Sequence, residues 1–168
     1  MTADDFAQIV NIVNLYAVAT DSHRYELFED IFTDDVHLDF GAGAAIDGLA
    51  ILMPAYKDIH AVFSATQHMT SGHTIKVDGD KARCFSYVCG RFRRKLDDGE
   101  GLFESTGWYD DALVRTAKGW RIRKRISRMV SYTGDIRVMQ AMPDVDTNYV
   151  LSSLFEEADA GRVEFLEG

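Results

Sequence analysis

Hydrophobic positions change their period half-way along the chain. Early on they recur as on one face of a helix: Phe6, Ile9, Val10, Val13 and Ala17 keep the i, i+3, i+4, i+7 spacing. Thr2 or Asp4 can cap that helix, and the early acids suit its positive end. A short second helix is predicted from about His23, with Leu27, Phe28, Ile31 and Phe32 turned inward. Residues 36–40 alternate like a short strand, and 41–43 read as a loop. A third helix is expected over 49–63, where Pro54 fits only within the first turn.

Beyond residue 65 the pattern is that of long strands, over 66–77, 81–96, 102–116 and 119–132. The breaks are short and turn-like: Asp78-Gly79-Asp80, Asp97-Asp98-Gly99 and Ala117-Lys118-Gly119. Strands joined this way are antiparallel neighbours. Helices followed by a meander predict an α+β fold, a curved antiparallel half-barrel wrapped over about three N-terminal helices. Such a cone leaves side chains lining a pocket between sheet and helices. Residues 1–135 read as one domain. The rest, 136–168, reads as an extension with a weak helical pattern over 148–161 (Val150, Leu151, Leu154, Phe155, Ala158), docking on the body or on a partner subunit.

Composition narrows the functions available. The 168 residues are 46% hydrophobic and carry a net charge of −9. That charge argues against nucleic-acid or anionic-membrane binding. No apolar run approaches a membrane span. The start, MTADDF, is acidic where a signal peptide is basic, so the expected location is the cytoplasm. Cys84 and Cys89 lie in one predicted strand, with Cα atoms roughly 16 Å apart, too far for a disulfide. They are expected to be reduced packing thiols.

Few polar residues fall at apolar places. Asp21 ends the first helix, where an aspartate most often only caps. His68 opens the first long strand, where hydrogen bonding within the strand and function are equally natural roles. His68 and His73 differ by an odd number, which sets them on opposite faces of a regular strand, and no metal site is expected. Gly41-Ala42-Gly43 is not a phosphate loop, and no nucleophile elbow occurs. In 120–130, Trp120, Ile122, Ile126 and Val130 share one predicted face. Arg121, Arg123 and Arg125 share a wet one, opposite acids such as Asp111. Lys124 and Arg128 fall on the apolar face, suited to an anionic group in the pocket.

In order, these segments are Tyr16-x4-Asp21, Leu27-Phe28-x-x-Ile31-Phe32-x-x-Asp35-Val36 and Thr66-Gln67-His68, then residues 108–115 (WYDDALVR) and Gly119-Trp120-Arg121-Ile122. Together they resemble the SnoaL-like branch of the nuclear-transport-factor-2-like superfamily, whose fold is a cone or cystatin-like roll. Within it the chain is most similar to three lyases: scytalone dehydratase, bile acid 7α-dehydratase and hexachlorocyclohexane dehydrochlorinase. The resemblance implies a cofactor-free enzyme with Asp21 and His68 as a catalytic pair. It implies Tyr16 as a site tyrosine, and Phe40 where both dehydratases carry a pocket tyrosine. Near Arg91 or Phe92 the dehydratases carry a second acid/base, His or Asp. This chain has neither, and the single-base logic of the dehydrochlorinase needs only the pair.

Two readings follow. One is a cofactor-independent lyase (dehydratase-like) or isomerase acting on a small hydrophobic, cyclic substrate. Asp21, His68 and Tyr16 then do the chemistry, and Phe40, Met53, Phe63, Met69, Tyr87, Arg91, Lys124, Arg128 and Met129 shape the pocket. The other is a non-catalytic binding or assembly protein of the same fold, as a fold alone does not choose function. A homodimer or homotrimer is expected through an exposed sheet face carrying Trp108.

Overall fold

A computed structural model describes residues 1–140 and 150–167. Six strands form one curved, unclosed sheet in the order β2-β1-β6-β5-β4-β3. They are β1 (Phe32–Gly41), β2 (Ala44–Asp47), β3 (Ala65–Asp78), β4 (Lys81–Leu96), β5 (Gly99–Thr116) and β6 (Gly119–Gly134). The pairs β3–β4, β4–β5 and β5–β6 form the expected antiparallel meander. β1 runs parallel to β6, because α3 separates it from the meander in sequence. Helices α1 (Ala3–Asp21), α2 (Phe28–Ile31) and α3 (Leu49–His60) fill the concave side. A 3₁₀ turn, Tyr25–Leu27, precedes α2. No helix among the described residues is long and apolar enough to cross a membrane.

Local chemistry explains the element ends. Thr2 caps α1 in a reciprocal box with Asp5, each side chain bonding the other's backbone N–H. The inward face of α1 is Ile9, Ile12, Val13, Tyr16 and Ala19, which meet Phe28, Ile31, Leu52, Trp120 and Ile122 in the main core. Phe6 is exposed instead, because Asp5 takes the inward position and binds Arg115 and the Trp120 indole N–H. Phe32 begins β1 and does not continue the helix. Pro54 lies in the middle of α3, not in its first turn. Both Pro54 and Ala50, whose carbonyl loses its partner, are exposed, so water satisfies the broken bond.

The strands lie where the sequence puts them, but β-bulges change which face their residues take. One extra residue sits in β3 between Ser71 and Thr74, at Gly72 with φ +65°. His68 and His73 therefore fall on the same, inner side, not on opposite faces. A second register shift pairs Ala112 with Lys124 but Leu113 with Ile122, leaving Arg123 as the extra residue of β6. Trp120 and Ile122 point inward before it, and Arg125 and Met129 point inward after it. Arg125 is fully buried, and Arg121 is buried too, so the expected wet arginine face does not exist.

The extension docks on the body. Helix α4 (Leu154–Asp159) and the strap that follows lie on the outer face of the sheet. There Val163 and Phe165 pack on Phe85, Trp108 and Ile126. Trp108 is fully buried by this cover, not exposed as the oligomer expectation assumed. The part of the predicted helix over 141–149 lies outside the described residues. Val150 and Leu151 precede the observed helix, and Leu151 bridges to Met129. Cys84 and Cys89 are free thiols.

Candidate active site

The end of α1 and the head of β3 meet through one carboxylate. Asp21 closes α1, but its side chain turns across to β3 instead of capping. Its Oδ1 lies 2.7 Å from His68 Nδ1 and 2.8 Å from the Thr66 hydroxyl, which donates to it. Its Oδ2 accepts the His68 backbone N–H at 2.6 Å. Alternation along β3 points Thr66 and His68 inward together, which is why one aspartate reaches both. Burial pushes the Asp21 carboxyl up, but the hydrogen bonds from His68 outweigh it and hold the carboxyl below its ordinary value. An ionised carboxylate only accepts, so Nδ1 carries a proton, and in the neutral ring Nε2 is the acceptor.

His68 opens onto a cavity of about 310 Å³ between helices and sheet, with a predominantly apolar wall. Of the residues singled out from the sequence, Tyr16, Phe40, Phe63, Arg128 and Met129 line it. Tyr16 stands beside His68, ring centroids 6.3 Å apart. Its hydroxyl shares a 2.8 Å hydrogen bond with the hydroxyl of Tyr56, a residue of α3. Tyr109 lines the same wall, edge-on to Tyr16. Burial raises the ionisation of Tyr56 and Tyr109 well above the usual phenol range, and the neighbouring Tyr16 adds to it. Both are therefore neutral O–H groups near pH 7.

Behind the tyrosines lies a buried ion pair. Arg125 donates from Nε and Nη2 to the two carboxylate oxygens of Asp111, both at 2.7 Å. Its guanidinium stacks on Tyr16 and Tyr109, 4.4 and 4.1 Å from the ring centroids. Burial disfavours its charge, but Asp111 more than compensates and keeps it protonated. The tyrosine rings are thus fixed from behind by a cation.

Other sequence candidates fall elsewhere. In β4 the even positions Val88, Gly90 and Phe92 face the cavity. Tyr87 and Arg91 therefore point out, Tyr87 half-exposed and Arg91 paired with Glu104. The bulge in β6 carries Lys124 to the outer face, where Glu164 of the strap accepts from its Nζ at 2.6 Å. Arg128 borders the cavity, but its guanidinium is spent on Asp39, with Nη2 to Oδ2 at 2.9 Å. Met53 packs against the core outside the cavity lining, and Met69 is exposed on the outer side.

The sequence reading missed Tyr56, His60 and Tyr109, and it set Arg125 opposite Asp111 on a wet face where the structure buries the pair. Tyr56 and His60 carry a legible signal: an i, i+4 spacing on the buried face of α3. His60 Nδ1 lies 2.9 Å from its own helix's Tyr56 carbonyl. Burial lowers its pKa to about 4, so the ring is neutral near pH 7.

Comparison with known proteins follows the same outline. A family model described as a SnoaL-like domain matches residues 1–126. An uncharacterised protein of Mycobacterium tuberculosis is 29% identical over 123 residues, 73% of this chain and 83% of that protein. A solved structure from Kribbella flavida superposes with a TM-score of 0.77 at 25% identity, covering 82% of this chain and 97% of that one. A type-2 hexachlorocyclohexane dehydrochlorinase superposes with a TM-score of 0.68 at 16% identity, covering 83% and 94%. At that identity the likeness is one of fold.

Proposed function

The chain belongs to the SnoaL-like domain family, and we propose that it is a cofactor-independent lyase or isomerase with Asp21–His68 as its general base. One observation carries this reading: Asp21 Oδ1 sits 2.7 Å from His68 Nδ1, and the imidazole borders an apolar cavity. Held in that tautomer, His68 offers Nε2 to a C–H next to an electron-withdrawing group. The carboxylate stabilises the imidazolium as it forms. The Tyr16–Tyr56 hydroxyl pair, 2.8 Å apart, shares one proton and leaves one O–H to donate to the enolate oxygen. The apolar wall strengthens each of these interactions. Elimination follows where a leaving group is β to the carbanion, and isomerisation where none is. Neither outcome needs a cofactor. The dehydrochlorinase of the same fold is, by its name, a lyase of the eliminating kind.

A second reading is a binding protein for a small apolar ligand. It is favoured by Phe92, which stands edge-on to His68 at 5.3 Å where an acid/base partner would otherwise fit. Incubating the protein with 1-indanone in D₂O and following the α-protons by NMR separates the two. Faster exchange that His68→Ala abolishes supports the base. Binding without exchange in the wild type overturns the enzyme reading.

A further inference from the structure

One row of residues crosses the outer face of the whole sheet. Directly paired positions run Lys76–Arg83–Ala112–Lys124–His37–Asp47, one from each strand from β3 to β2. Their sequence neighbours Ile75, Cys84, Leu113 and Leu38 belong to the core, so alternation turns the row outward. Three long cations and an imidazole thus share one line in a chain of net charge −9. Like charges on neighbouring strands repel, so a row of this kind calls for an anion.

The carboxylate that meets the row comes from the strap. Ala112 sets only a methyl group between Arg83 and Lys124, and Glu164 bridges the two across it. Lys124 Nζ donates to its Oε1 at 2.6 Å, and Arg83 donates to its Oε2. Burial pushes the Glu164 carboxyl up, but the bonds from Lys124 and Arg83 outweigh it and keep it ionised near pH 7. Two cations therefore share one negative charge. Lys76, next to Arg83 in the ladder, reaches the Phe165 carbonyl with Nζ at 2.9 Å. The other charges of the region are matched one to one. Arg123 meets Asp35 at 3.0 Å, His37 meets Asp47 at 2.7 Å, and Lys81 stands opposite Asp78. The cations line a groove of about 910 Å³, which shares no lining residue with the apolar cavity.

We propose that this groove is a second ligand site, for the dianion of a small phosphate monoester, and that Glu164 occupies it as a weaker, built-in substitute. A carboxylate brings one charge and two oxygens. A phosphate monoester near pH 7 brings about two charges and three acceptor oxygens, enough for Arg83, Lys124 and Lys76 together. The guanidinium of Arg83 matches a phosphate with two parallel N–H donors. The groove is far larger than a phosphate group alone, and Ala112 and Val114 beside the cations give the organic part an apolar place to lie. Displacing Glu164 leaves the strap docked, because Val163 and Phe165 hold it on Phe85, Trp108 and Ile126.

Calorimetric titration with phenyl phosphate near pH 7 tests the site, with phenyl sulfate as the same shape carrying a single charge and inorganic phosphate as the headgroup alone. Glu164→Gln removes the competing carboxylate and should tighten the Kd for phenyl phosphate about three- to tenfold over the wild type. Arg83→Gln and Lys124→Gln, each added to Glu164→Gln, should cancel that gain. Phenyl sulfate and inorganic phosphate should both bind more weakly than phenyl phosphate. In the wild type, the backbone amide resonances of Ala112 and Lys124 should move with phenyl phosphate while that of His68 stays, which needs no variant to fold. No binding by Glu164→Gln at millimolar phenyl phosphate, equal affinity in Glu164→Gln and the wild type, or binding that survives the loss of both Arg83 and Lys124 overturns the proposal and leaves Glu164 as a pin for the strap. Phenyl sulfate binding as tightly as phenyl phosphate overturns the dianion, and inorganic phosphate doing so overturns the ester.

Discussion

Asp111 and Arg125 are directly opposed in the β5–β6 ladder and meet, fully buried, in a two-pronged ion pair. Breaking such a pair leaves one uncompensated charge in the core. Asp111→Asn and Arg125→Met should each lower stability by about 3–5 kcal/mol. Asp111→Leu combined with Arg125→Met should cost less than either alone, since no charge is stranded. Urea denaturation of the four proteins checks this. Equal, small losses would mean that the pair is not the dry contact described.

The Asp21–His68 contact predicts an asymmetric mutational response. His68→Ala removes the base and should slow α-proton exchange of 1-indanone by about 10²–10⁴-fold. Asp21→Asn leaves the imidazole in place but can donate to Nδ1, which favours the wrong tautomer. A loss of about 10²-fold or more is expected, with the far-ultraviolet circular dichroism unchanged. A near-wild-type Asp21→Asn rate would reduce the aspartate to a helix-end residue.

What the sequence could and could not tell depends on the parity of strands. Element order and the meander were legible, because period, turn residues and local order are properties of contiguous segments, whereas the pairing of Asp21 with His68 was only what the family resemblance implied. Face assignments held only as far as the first bulge. Beyond Gly72 the inward set of β3 passes from even to odd positions, bringing His73 inside. Beyond Arg123 the same happens in β6, so Arg125 enters the core while Ile126 leaves it for the outer face. One inserted residue reverses the phase of the alternation beyond it, and only where apolar residues stand on both sides of the bulge can the pattern show it. Tyr87 and Arg91 were misassigned for a simpler reason. In β4 the inward face is fixed by Cys84, Val88 and Phe92, and both exposed residues stand at positions of the other parity.

Asp110 gives the chain an unusual pH response. Its carboxylate accepts the Phe165 backbone N–H at 2.9 Å beneath the strap, and burial pushes its pKa up to about 6. A carboxyl with a raised folded-state pKa binds its proton more tightly in the native state. Below the ordinary value of 3.8 both states are protonated and there is no penalty. As pH rises toward 6 the native state loses stability, by about 3 kcal/mol at most. Asp21, Asp39 and Glu164 have lowered values, so they act oppositely, losing their contributions as pH falls through and below their ordinary range. Asp110→Asn should therefore remove a decline in stability between pH 4 and 6 and leave the acid limb unchanged. Urea midpoints across pH 3–7 for both proteins test the sign.

The strap itself makes the last prediction. Trp108 is fully buried although it lies on the outer face of the sheet, because Val163 and Phe165 cover it together with Phe85 and Ile126. The cover is pinned at its edge by Glu164, which pairs with Arg83 and Lys124, and by Lys76 Nζ, which donates to the Phe165 carbonyl. The edge contacts are partly exposed and contribute little each, so the two apolar anchors must supply most of the docking energy. Phe165→Ala should then release the strap at a cost below the roughly 3–5 kcal/mol of a core Phe→Ala change, because the main cluster around Trp120 stays closed. Trp108 would meet water while Trp120 stays dry, giving a partial red shift of the tryptophan emission. Glu164→Gln should give almost no shift. Equal shifts in the two variants would mean that charge, not apolar cover, holds the strap down.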